Sequence, residues 1–259
     1  MTGGRDSDTH ARPALRYAQP FYSPFTALMS EPPMDTPNTD SLNTRSLDVT
    51  EFSPSEMYFL LRDSIIPRPI AWVSTVGLDG SHNLAPFSFF NVCCPSPPVM
   101  GFSCGPRGDD HNLKTLVMKD TLQNIRDTGE FVINLSPEGL FEPMVDSAQD
   151  LPAGASEFDV FDIASLPCDG VKPRRVARSP VAYECKVHDI LPLGKNHWVM
   201  GDVLRVHILE SVYRGEREGK KHRVDLMEDP AMRPIGRLGR AFYTRLTDTM
   251  LRRRQDGPN

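Results

Sequence analysis

Apolar residues along this chain fall into short runs separated by turn residues, and the runs set the expected element order. Ser53-Pro54-Ser55-Glu56 fits a capping box with Pro54 at the first helical position. Met57, Tyr58, Leu60 and Leu61 continue a short helix that ends before Pro67. Ile70 to Val76 is a run rich in β-branched and aromatic residues, followed by the turn Gly77-Leu78-Asp79-Gly80. Leu84 to Val92 and Val99 to Phe102 are the next runs. Strand, tight turn and strand predict a β-hairpin. The run from Leu84 is irregular, because Asn83, Pro86, Ser88 and Asn91 punctuate it. Pro86 cannot donate to a sheet ladder. One reading is an edge strand with a bulge; the other is a place where a ligand approaches the backbone.

Cys104 to Val117 is polar and irregular and reads as a surface loop. Asp120 is a good N-cap and Gly129 a good C-terminal stop, so a helix is expected between them. Glu130 to Leu135 follows as a strand, and Pro137 to Val145 reads as helical. Leu151 to Cys168 reads as a packed excursion anchored by Phe158, Phe161, Ile163 and Leu166. Two long alternating runs, Pro180 to Leu191 and Trp198 to Leu209, flank the turn Leu193-Gly194-Lys195-Asn196 and predict a long antiparallel pair. A mainly β fold with few short helices, closed into a barrel, accounts for this pattern. Residues 1–50 are rich in Pro, Thr, Ser, Asp and Asn and are expected to form a disordered tail. The Tyr17 to Met29 segment carries enough aromatics to dock on the body or on a partner. Residues 51–245 are the expected domain, and 246–259, with Arg252-Arg253-Arg254, a solvated tail.

Composition narrows the function classes. The net charge of −5 gives no general nucleic-acid surface. No apolar run approaches the roughly 18 residues of a membrane span. The five cysteines are odd in number and lack a CxxC pair, which fits reduced thiols in a cytoplasmic protein. His82, His111, His188, His207 and His222 lack metal-ligand spacing, so no metal is expected. No GxGxxG opens a βαβ unit, so a nicotinamide nucleotide would bind outside a Rossmann fold.

Three stretches carry candidate chemistry. Lys119, Asp120 and Thr121 place a charge and a hydroxyl at a helix N-terminus, where free N–H groups favour a phosphate; an ordinary cap with a solvated lysine is the alternative. Asn83, Ala85, Pro86, Phe87 and Ser88 offer small residues that let a flat ring approach the backbone, with Asn83 and Ser88 as hydrogen-bonding groups. His197, at the mouth of the strand after the turn, can donate to a nicotinamide amide or move a proton, or be a plain surface residue.

PRPIAWVST, GLDG, NLAPFSFF, SPP, KDTLQNI, GEFVINL, SPVAYEC and HWVMGDV occur in this order. Together they resemble the flavin reductase-like, FMN-binding split-barrel family, particularly its flavoredoxin-like branch, from about Phe52 to Leu209 and weakly through PIGRLGRAFY to Tyr243. The resemblance implies a Greek-key antiparallel split barrel, usually a homodimer, with FMN in a groove at or near the subunit interface. It implies Ser74, Thr75, Asn83, Ala85, Pro86, Phe87 and Ser88 near the flavin, and Ser103, Lys119, Asp120 and Thr121 near its phosphate. It places His197 near a nicotinamide. The implied activity is reduction of FMN by NADH or NADPH, with electrons passed to free flavin, an oxygenase partner or another carrier. An FMN-binding electron carrier without pyridine-nucleotide activity, and a dimeric interaction module without cofactor, are the alternatives. The loop from Pro106 to Met118, with Asp109-Asp110, is longer and more acidic than the family pattern.

Overall fold

The structure is a computed structural model and describes residues 43–108, 117–152, 154–216, 219 and 221–248. The Tyr17 to Met29 segment, Asp109-Asp110 and Arg252-Arg253-Arg254 lie outside the described residues. The chain divides into two units, Met1–Asp48 and Val49–Asn259, and the fold below is that of the second.

The second unit opens with helix α1 (Pro54–Ser64), capped as the sequence requires. Ser53 and Glu56 exchange both bonds of the capping box. Then come β1 (Ala71–Val76), β2 (His82–Phe87), β3 (Phe90–Pro95) and β4 (Pro98–Cys104). Helix α2 (Asp120–Thr128) leads into β5 (Glu130–Leu135), and a 3₁₀ turn leads into α3 (Phe141–Asp146). The excursion holds α4 (Glu157–Val160) and the short pair β6 (Ser165–Leu166) and β7 (Arg175–Val176). The long hairpin β8 (Val181–Leu193) and β9 (Asn196–Ile208) follows, and the small pair β10 (Gly236–Arg237) and β11 (Tyr243–Thr244) ends the described fold.

Seven strands form one antiparallel sheet in the order β2-β1-β5-β8-β9-β4-β3. The mainly β, antiparallel expectation holds, with one difference in how the chain reaches it. The run from Leu84 to Val92 is two strands, not one. The chain bends at Ser88-Phe89, so β2 pairs with β1 and β3 pairs with β4, at opposite edges of the sheet. Pro86 therefore sits on an edge strand, where its missing N–H costs no interior ladder bond. The bulge lies in β3, between Val92 and Cys94.

The sheet curls until its edges meet through side chains. Phe87 of β2 packs on Phe102 of β4 at 4.9 Å, and Phe102 meets Phe131 of β5 edge-on at 5.8 Å. Leu122 and Ile125 of α2 complete this core. The interior is tight enough to require glycine at 201, where a Cβ would clash with the Phe131 ring and stand 3.0 Å from the Cys185 Cβ. A second core lies on the other face. Trp72 and Leu84 pack there with Met144, Phe158 and Ile163, so the excursion is anchored through two of its four expected residues. Phe161 packs partly against it, and Leu166 is exposed.

Helix α2 starts one residue earlier than expected. Lys119, not Asp120, is the N-cap residue, and its side chain makes no capping hydrogen bond. Asp120 is instead the first helical residue and pairs with Arg107. Gly129 ends the helix at φ 71°, the left-handed conformation that glycine adopts without strain.

Candidate flavin cleft

β2 and the start of α2 face one cleft. Its lining includes Asn83, Ala85 and Pro86 from the edge strand and Lys119, Asp120 and Thr121 from the helix start. Six of the residues singled out from sequence are therefore brought together. Hydrogen bonding locks the two elements, since Asn83 Nδ2 donates to Thr121 Oγ1 at 3.0 Å. The Lys119 ammonium lies 5.9 Å from the centre of the Phe87 ring. Phe87 itself is buried in the barrel core and supports the cleft from beneath.

The far wall was not legible in the sequence. Ser147, Ala148, Gln149, Asp150 and Leu151, between α3 and α4, line it together with Glu157 and Arg107. Glu157 accepts the Leu84 N–H at 2.8 Å, which satisfies a donor on the sheet edge. Burial pushes the Glu157 carboxyl above its ordinary range, and nearby Asp120 pushes the same way. Arg107 reaches Asp120 and, at 3.8 Å, Asp150. Its Nε is buried without a hydrogen-bond acceptor among the described residues.

The other sequence candidates lie elsewhere. Ser74 and Thr75 are fully buried in β1. The Ser74 hydroxyl donates to the Arg174 carbonyl at 2.5 Å, and Thr75 Oγ1 accepts from Asn124 Nδ2 at 3.0 Å. Ser88 faces a neighbouring groove, where Arg68 Nε donates to its hydroxyl at 3.4 Å. Ser103 is opposite Trp198 on β4 and accepts from Asn196 Nδ2 at 3.4 Å. His197 is opposite Cys104 and Pro192 and is not among the residues that line the cleft. Partial burial and the nearby Arg126 lower its pKa, which favours the neutral ring. Cys168, Glu184 and His207 gather their potential ligand atoms within 4.8 Å, although the sequence spacing gave no hint of it. The Glu184 oxygens there already accept the N–H groups of Asp169 and Gly170 and the His207 ring.

The donor set suits the phosphate of a flavin mononucleotide, while the cleft, with a volume of about 50 Å³, is too small to enclose the flavin ring. An uncapped helix start, Lys119, the Thr121 hydroxyl and an unaccepted Arg107 Nε converge at one end. At the other, Ala85 and Pro86 leave the edge-strand backbone approachable. Asp120, Asp150 and Glu157 keep this end from being uniformly cationic.

An antiparallel split barrel with this cleft defines a class, the flavin reductase-like fold. The chain belongs to the flavin reductase like family, whose domain model matches residues 62–220. An uncharacterised protein of Aquifex aeolicus is 33% identical over 197 residues, covering 76% of this chain and 93% of that protein. Nitrilotriacetate monooxygenase component B from Bacillus cereus is 28% identical with a TM-score of 0.70, covering 81% of this chain and 98% of that one. The 2-nitrobenzoate 2-nitroreductase of Pseudomonas fluorescens is 28% identical with a TM-score of 0.69, covering 83% and 99%. No helix among the described residues is long and apolar enough to cross a membrane.

Proposed function

We propose that the protein is an FMN-dependent oxidoreductase that takes a hydride from NADH or NADPH and passes electrons to a diffusible acceptor. The observation that carries this reading is the junction of the Asn83–Pro86 edge with the uncapped start of α2. Bound flavin supplies the redox chemistry. The chain supplies placement. Lys119, Thr121 and the helix N–H groups hold the phosphate, β2 supports the ring, and Ser147 to Leu151 shield one side from water. The likeness to a monooxygenase component B favours an oxygenase partner as acceptor. Five free thiols fit the cytoplasm that this reading assigns.

The second reading is an electron carrier without pyridine-nucleotide activity, and the position of His197 favours it. The histidine proposed to orient a nicotinamide does not line the cleft. Anaerobic mixing separates the readings. FMN fluorescence is expected to be quenched on titration, and NADH or NADPH is expected to bleach the bound flavin within seconds. A persistent yellow colour assigns the carrier. Unquenched FMN removes both readings and leaves the interaction module.

The reading includes a homodimer. Helix α1 buries none of its residues, and Phe59, Leu60, Leu61 and Ile65 are 45–62% exposed. Exposed apolar side chains on and just beyond this helix are what a second copy covers. Sedimentation is expected to give twice the chain mass of 29.0 kDa, and the Leu60→Glu, Leu61→Glu double variant is expected to give the monomer.

A further inference from the structure

A second groove adjoins the flavin cleft, and Pro86 and Ala148 line both. Its volume is about 200 Å³, below the roughly 300–1,000 Å³ that encloses a drug-sized ligand. It has room for one ring and its substituent. Arg62, Arg68, Arg237 and Arg240 line it, and no carboxylate among the described residues does. Asp63, paired with Arg62 at 2.7 Å, is the nearby counter-charge. Four arginines less one aspartate leave a local charge of +3 on a chain of net charge −5.

The fold spends interactions to assemble this charge. Arg68 is 4% exposed, yet its guanidinium donates to neutral acceptors: the Arg62 and Ile65 carbonyls, the Leu238 carbonyl at 2.9 Å and Ser88 Oγ. Burial, then the neighbouring Arg237, lower its pKa, as expected for a cation set among cations. The Leu238 bond and the Arg68–Arg237 bridge fasten the 236–243 segment to the end of α1. That segment turns through Arg240 at φ 53°, a conformation rare for a residue with a side chain, and the Arg240 carbonyl accepts from Arg237 Nη2 at 2.6 Å.

Aromatic rings organise the guanidinium groups without neutralising them. Arg237 lies 4.2 Å from the Tyr243 ring centre, Arg62 4.7 Å from Phe59, and Arg68 5.6 Å from Phe89. Tyr58, Phe89 and Tyr243 line the groove among the arginines. Like charges held together in a half-dry groove repel one another until an anion enters. Guanidinium is also the cation best shaped for a carboxylate or phosphate.

We propose that this groove is an anion subsite that seats the acidic group of an aromatic substrate beside the flavin. The position beside the flavin rests on the function proposed above. The shared chemistry is an oxyanion, carried either on the ring of an aromatic carboxylate or on the ribose of a nucleotide. Benzoate and adenosine 2′,5′-bisphosphate probe the two sources by calorimetry on the full-length, flavin-free protein. At least one is expected to bind, and the Arg237→Gln, Arg240→Gln double variant is expected to weaken it at least about tenfold, or about 1.4 kcal/mol. Arg68 is left intact because it fastens two segments together. FMN affinity, measured separately, is expected to stay within about twofold of wild type, so loss of FMN binding by the wild type would overturn the flavin reading and not this one. Benzoate binding assigns a carboxylate substrate, and bisphosphate binding assigns the nucleotide. Binding of neither probe, or binding that the double variant leaves unchanged while circular dichroism shows it folded, overturns the subsite.

Discussion

Ala85→Leu is expected to raise the FMN dissociation constant about 100-fold while the barrel stays folded. Ala85 is half-buried on β2, opposite Val73, and lines the cleft beside Pro86 and Thr121. Three added carbons there occupy the space through which a ring would reach the strand backbone. Overpacking of this kind costs about 1–3 kcal/mol when the surroundings cannot move, and about 2.7 kcal/mol is 100-fold in affinity. They have little freedom to move here. Phe87 is pinned on Phe102, and Asn83 is tied to Thr121. Ala85 also packs partly against the barrel core, so part of this cost falls on the fold, and the barrel is expected to stay folded because the site is only half-buried. Fluorescence titration with FMN reads the affinity, and thermal unfolding reads the barrel. If Pro86 and Ala85 serve only to end the sheet, FMN affinity is unchanged and the flavin cleft is wrongly placed.

The sequence made the local devices legible and hid those that depend on distant contacts. The capping box of α1 and the glycine stop of α2 are set by neighbours three or four residues away, and both stand as read. The run from Leu84 to Val92 misled because its apolar pattern continues across Ser88-Phe89. Only the pairing partners, Ala71–Val76 on one side and Val99–Phe102 on the other, reveal that it serves two edges. Ser74 and Thr75 have the polarity of binding residues, but that polarity is spent on Arg174 and Asn124 inside the fold. Arg107 lay in a loop with no periodicity, and the wall from Ser147 to Leu151 reaches the cleft only through tertiary packing. The anion groove is the extreme case. Arg68 and Leu238 meet across 170 positions, and the PIGRLGRAFY stretch carries no sign of its partner.

Glu184→Ala is expected to cost about 3–5 kcal/mol of folding stability, since each buried donor left without an acceptor costs about 1–3 kcal/mol. Glu184 is fully buried, and its carboxylate gathers three donors. The Asp169 N–H lies at 2.9 Å, the Gly170 N–H at 2.6 Å and His207 Nε2 at 2.5 Å. The approach is so close that a Cβ on residue 170 would stand 2.8 Å from the carboxylate, which accounts for glycine there. Alanine at 184 leaves two N–H groups and a ring nitrogen facing a void. Glutamine keeps the shape but turns an NH₂ toward donors, so it is expected to lose part of the same stability. The pH dependence identifies the charge as the cause. Burial alone would raise the Glu184 pKa from its ordinary 4.5, but the Asp169 N–H, His207 and the Gly170 N–H outweigh burial and lower it. A carboxyl lowered on folding adds stability that is complete above the unfolded value and is lost as pH falls through the folded one. Urea unfolding of wild type and Glu184→Gln is therefore expected to show a wide gap at pH 7 that narrows steadily in acid, below the ordinary glutamate range. A gap of constant width from pH 7 into that acid range would mean that the carboxylate charge contributes nothing and that shape alone holds the 168–172 loop.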